Sequence, residues 1–124
     1  VAGMGLASVS GRARASKAEL CRQAQCHEID RITLAGHSLG GAVAVFIAGT
    51  APSSLRIHAV HAFNPGGLPD ITRYVTCSLM PTDLFVHRIR GDPISIAFLP
   101  LLQTEYERKE GHEDTQPHSM VHFL

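Results

Sequence analysis

Short runs rich in apolar and β-branched residues recur along this chain, separated by segments of different character. Residues 30–35, Asp-Arg-Ile-Thr-Leu-Ala, predict a short buried strand. Residues 57–63, Ile-His-Ala-Val-His-Ala-Phe, predict a second, and residues 84–90, Leu-Phe-Val-His-Arg-Ile-Arg, a third. Gln103 to Glu107 reads as a fourth. Between the first two strands, residues 42–49 are apolar nearly all round, as a helix buried under a sheet would be. That helix is expected to begin near Leu39 and to end at Gly49 and Pro52. Residues 13–26 are dominated by good helix formers, and Ser16 with Glu19 fits a capping box at its start. Residues 1–12 are small and Gly-rich and read as loop. A weaker segment at 70–79 reads as a short helix.

Helix, strand, helix, strand, segment, strand is the order of an α/β domain with a mostly parallel sheet. In such sheets chemistry gathers at the carboxyl ends of the strands. Three polar groupings follow strands here: Ser38, Asn64-Pro65-Gly66, and Asp92.

Composition narrows the picture. The chain has 124 residues, 44% hydrophobic and 18% charged, which suits one ordered domain over residues 1–124. Lys+Arg 11 balance Asp+Glu 11, so the basic face that nucleic acid requires is not expected. The three cysteines, Cys21, Cys26 and Cys77, do not form a disulfide framework and read as thiols. No apolar run reaches the length of a membrane helix, and residues 1–9 lack the basic start of a signal peptide. A cytoplasmic or a secreted location both fit. His58-x-x-His61 is off helical i,i+4 spacing and has no carboxylate or thiol beside it, so neither a metal nor another cofactor is expected.

The sharpest chemistry lies at Gly36-His37-Ser38-Leu39-Gly40, between a predicted strand and a predicted helix. A serine at such a corner is forced into a strained turn that lifts its hydroxyl above the sheet. Gly36 and Gly40 are read as the places where strand and helix pack closely, with Gly41 adding room. The Leu39 N–H, at the helix start, is the natural oxyanion donor. A phosphate-binding or purely packing Gly-rich turn is the plainer reading of the pentapeptide.

Residues 32–42, Ile-Thr-Leu-Ala-Gly-His-Ser-Leu-Gly-Gly-Ala, resemble the nucleophile region of the class 3 (fungal triacylglycerol-type) lipases. Phe63-Asn64-Pro65-Gly66 looks like the loop after that family's next strand, and Arg90-Gly91-Asp92-Pro93-Ile94 like its acid segment. The resemblance covers residues 28–122. It implies an α/β-hydrolase fold, of which this chain would be the C-terminal catalytic part, and hydrolysis of acyl esters.

A serine nucleophile needs a base, and the base an orienting carboxylate. The order in this fold is Ser, then Asp or Glu, then His. Asp92 follows the third strand and is the expected acid, with Asp70 in reserve. Asp83 precedes that strand and would sit at the opposite end of the sheet. Three histidines follow Asp92: His112, His118 and His122. The family places its base on a loop before the last helix, which favours His118.

His37, Pro65, Ile94 and Phe98 are the expected substrate contacts. The apolar stretch 94–102 reads either as an acyl pocket or lipid-contacting surface, or as a core helix. The expected substrate is a lipid or a small ester. The family's second oxyanion loop lies upstream of its nucleophile, and Gly3 to Gly5 are the nearest stand-in here. A partner or an upstream segment is expected to cover the sheet edge. Two other readings stay open: a non-catalytic scaffold acting as a binding module, and an acyltransferase or thioesterase using the same three residues.

Overall fold

Among the described residues, four strands form the sheet: β1 (Ile32–His37), β2 (Ile57–Phe63), β3 (Asp83–Ile89) and β4 (Gln103–Tyr106). In the computed structural model they lie in the order β1-β2-β3-β4, and every neighbouring pair is parallel. The structure describes residues 2–52, 54–66, 82–95 and 103–124, with the backbone alone for residues 2–10 and 103. The expected helix at 70–79, Asp70 and Cys77, and most of the apolar stretch 94–102, lie outside the described residues.

Among the described residues, two α-helices accompany the sheet, α1 (Ala2–His27) and α2 (Leu39–Thr50). The α2 residues Gly41 to Val45 and Ile47 are buried, which is why the helix tolerates an apolar circumference. Ile32, Val60, Ala62 and Val86 from the sheet form one core with Ala42, Val45 and Ile47 of α2. Ala13, Leu20, Cys21 and Ala24 bring α1 onto the same core. Lys17 donates from Nζ to the Thr50 carbonyl and hydroxyl, each at 3.2 Å, and places a cation at the carboxyl end of α2.

The helical start differs from the sequence expectation. Residues 1–12 read as loop, yet α1 begins at Ala2 and runs unbroken. Gly3, Gly5 and Gly11 each weaken a helix by only about 1 kcal/mol, and the helix they extend is anchored on the core from Ala13 onward. Ser16 and Glu19 therefore lie in mid-helix. Glu19 accepts hydrogen bonds from Arg22 and Gln23 on the exposed side instead of closing a cap. Gly3 and Gly5 belong to this helix and are not the strand–helix loop that a second oxyanion donor was expected to occupy. Cys21 and Cys26 are free thiols on α1.

The parallel register aligns the carboxyl ends of the strands. His37 is level with Phe63, and Phe63 with His87. The residues that follow β1, β2 and β3 therefore emerge along one edge of the sheet. A second side carries stacked rings: His61, Phe63, Phe85 and His87, with Phe123 edge-on to Phe63. Among the described residues, no helix is long and apolar enough to cross a membrane.

Candidate active site

Ser38 is the corner between β1 and α2. Its backbone has φ 57 and ψ −123, a region that non-glycine residues seldom occupy. The turn is held from both sides. The Ser38 N–H donates to the Phe63 carbonyl at 3.0 Å, and the Ser38 carbonyl accepts from the N–H groups of Gly41, Ala42 and Gly66 at 3.0, 3.3 and 3.0 Å. Surroundings that over-determine a strained residue are what allow it to persist.

The glycines around it divide differently from the expectation. A Cβ on Gly36 would lie 2.7 Å from the Gly41 amide nitrogen and closer still to the Gly40 carbonyl. One on Gly41 would meet the Gly36 oxygen and the Pro65 Cβ, both at 3.1 Å. Among the described residues, one on Gly40 would meet nothing within 4 Å. The close approach therefore needs Gly36 and Gly41; at Gly40 the backbone is crowded, but the space beyond its Cα is open.

Asp92 follows β3 after Gly91, whose φ of +87 lets the chain turn sharply. The Asp92 side chain is fully buried, and its oxygens accept the Ile94 N–H at 3.1 Å and the Ser95 N–H at 3.3 Å. Burial acts on the carboxyl most strongly and pushes it upward. Hydrogen bonds from Ser95, His118 and Ile94 and the attraction of His118 together outweigh it and hold Asp92 below its ordinary 3.8. A carboxyl lowered by folding stabilises the fold above its ordinary value, and that stability is lost as pH falls through the lower folded value. Urea unfolding between about pH 3 and pH 7 should accordingly show a midpoint that drops on the acid side. The drop should be smaller in Asp92→Asn; equal pH dependence in the two proteins would contradict the assignment.

Arg88 braces this loop from within. It is 5% exposed. Its guanidinium donates to the Ser95 hydroxyl at 3.1 Å, the Asp92 carbonyl at 3.0 Å and Glu105 Oε1 at 2.7 Å. Glu105 on β4 thus neutralises a buried cation whose other hydrogen bonds fix the acid's backbone.

His118 joins the acid to the serine. Its Nδ1–H is shared between the Asp92 oxygens at 3.1 and 3.2 Å, and Nε2 accepts the Ser38 hydroxyl at 2.6 Å. His37, half-buried beside the elbow, donates from Nε2 to the His118 carbonyl at 2.7 Å, with the two rings 5.1 Å apart. His122 has another task. Its Nδ1 accepts the Lys109 N–H at 2.9 Å, and its Nε2–H is shared between the carbonyls of Thr115 and Gln116. Both ring nitrogens are thereby committed to the loop leading to His118. His112 lies in a turn, its N–H on the Lys109 carbonyl.

The other expected contacts separate. Leu39 N–H is the first amide of α2, where a helix offers no internal acceptor. Ile94 is 48% exposed, and its Cγ2 lies close to Gly66 and so to the elbow. Pro65 is fully buried against Gly41, so it packs the elbow and offers no surface to a substrate. Its position is a consequence of the close approach that Gly41 permits. Phe98 lies outside the described residues. Arg88 and Ser95 were missed by the sequence reading. A charged residue two positions from Val86, on the strand face that the core uses, was the available signal for Arg88.

The set can transfer a proton from a serine hydroxyl to an imidazole held in one tautomer by a buried carboxylate. Comparison with protein-family models, curated proteins and solved structures finds no match to this chain.

Proposed function

We propose that this chain is a serine hydrolase of carboxylic esters, related in kind to the class 3 lipases and built on part of an α/β-hydrolase fold. The observation that carries the reading is the continuous hydrogen-bonded order of Asp92, His118 and Ser38 at the carboxyl edge of a parallel sheet. Ser38 Oγ attacks the ester carbonyl while its proton passes to His118 Nε2. Asp92 holds the imidazole in the required tautomer and stabilises the imidazolium. The oxyanion forms beside the Leu39 N–H. His118 then returns the proton to the departing alcohol, leaving an acyl group on Ser38. Water, deprotonated by His118, releases the acid and regenerates the serine.

Exposed Ile94 beside the elbow favours an apolar acyl group over a charged one. A non-catalytic binding module has no need of such an aligned set, so the geometry weighs against that alternative. Hydrolysis of p-nitrophenyl esters from acetate to long-chain acyl groups, with a thioester in parallel, tests the proposal. Turnover of the oxygen esters that is absent in Ser38→Ala is the expected result. A folded protein with no turnover on any member of the series would count against hydrolysis. A strong preference for the thioester would redirect the assignment to thioester chemistry.

A further inference from the structure

The turn after β2 touches the machinery on every side. Gly66 donates to the Ser38 carbonyl and Pro65 fills the space against Gly41. Asn64, which begins the turn, is 0% exposed and has φ 43. Its own N–H donates to the His87 carbonyl at 2.7 Å. Its side chain uses both ends. Oδ1 accepts the Ile89 N–H at 2.8 Å, and Nδ2 donates to the Pro117 carbonyl at 2.9 Å.

Those two partners belong to different parts of the site. Ile89 closes β3, and its carbonyl accepts the Asp92 N–H at 3.1 Å. Pro117 immediately precedes His118. One short planar amide therefore spans from the strand that delivers the acid to the residue before the base. Few side chains can do this. The job needs an acceptor and a donor on one rigid group, on a residue that tolerates positive φ. Aspartate keeps the acceptor but sets an oxygen against the Pro117 carbonyl. Glycine suits the turn but leaves both backbone groups without their partner.

We propose that Asn64 is a positioning residue: by fixing Pro117 to the end of β3, it holds the His118 ring in line between Asp92 and Ser38. The inference rests on the hydrolase reading for its catalytic consequence, but its structural core can be read without turnover. The His118 Nδ1–H, bonded to a buried carboxylate, should give a far-downfield proton resonance. Asn64→Asp and Asn64→Gly should shift or broaden it while circular dichroism shows a folded chain. In the same variants kcat should fall about 10- to 100-fold with KM little changed, the scale expected for a small misplacement of a reacting group. A merely structural residue would lower the melting temperature and leave the resonance of the folded fraction and its kcat in place; that result overturns the proposal. In the wild type, one Asn64 side-chain amide proton should exchange slowly with solvent, and fast exchange of both would also overturn it, whether or not the variants fold. If the wild type shows the resonance and Asn64→Asp loses it, but no ester is turned over, the hydrolase reading fails and the positioning role stands.

Discussion

His118→Ala is expected to slow ester hydrolysis by on the order of 10⁶-fold. The size follows from the geometry. His118 is the one imidazole whose Nε2 reaches Ser38 Oγ, at 2.6 Å, and without it the hydroxyl keeps its proton. Its side chain is only 20% exposed and is bonded to the buried Asp92 carboxylate, so the truncation should also lower stability. Because Ser38, His118 and Asp92 act as a unit, Ser38→Ala combined with His118→Ala should be no slower than either alone. His112→Ala should be close to wild type, since that ring has no contact with the set. His122→Ala should lower the melting temperature, because it removes the partner of the Lys109 N–H and of two loop carbonyls. Initial rates on a p-nitrophenyl ester, set beside thermal unfolding, separate these effects. A His118→Ala protein with near wild-type turnover would place the base elsewhere.

The second large effect is on folding. Gly36→Ala would drive a methyl group into the backbone of residues 40 and 41, at a point where three N–H groups already converge on the Ser38 carbonyl. Backbone cannot swing aside as the tip of a side chain can, so the cost should exceed about 4 kcal/mol and leave little folded protein. Gly40→Ala provides the contrast. Nothing among the described residues stands within 4 Å of the added Cβ, and alanine is the better helix former, so this variant should match or exceed wild type by up to about 1 kcal/mol. Urea denaturation of the two variants checks the pair. Equal stability would show that the elbow is not packed as the structure places it.

Much of this arrangement was legible because it depends on local pattern. The strands β1 to β3 and helix α2 are apolar runs bounded by Gly, Pro or Asn, and their length and composition suffice to locate them. Chain order then points to an acid after β3 and a base after the acid. The parts that were not legible depend on contacts across the fold. The first half of α1 looks like loop because its glycines lower intrinsic helicity, whereas the core contacts that anchor the helix begin only at Ala13. The difference between Gly40 and Gly41 is a matter of which Cα faces Pro65. The choice among three histidines rests on where a long loop folds back, and that loop is shaped by the committed ring of His122. Arg88 reads as one more charged residue in a strand until its three partners, Asp92, Ser95 and Glu105, are brought around it. Polar groups that position other polar groups leave weak traces in sequence, since their partners lie on separate elements.

Covalent capture tests the activated serine most directly. A fluorophosphonate reacts with a serine only when a neighbouring base takes its proton, and it forms a stable adduct in place of the acyl group. Incubation with the probe, followed by intact mass and peptide mapping, should show one adduct on Ser38. The adduct should be absent in Ser38→Ala and formed far more slowly in His118→Ala. A folded wild-type chain that stays unlabelled, or that is labelled at another residue, would contradict Ser38 as the nucleophile.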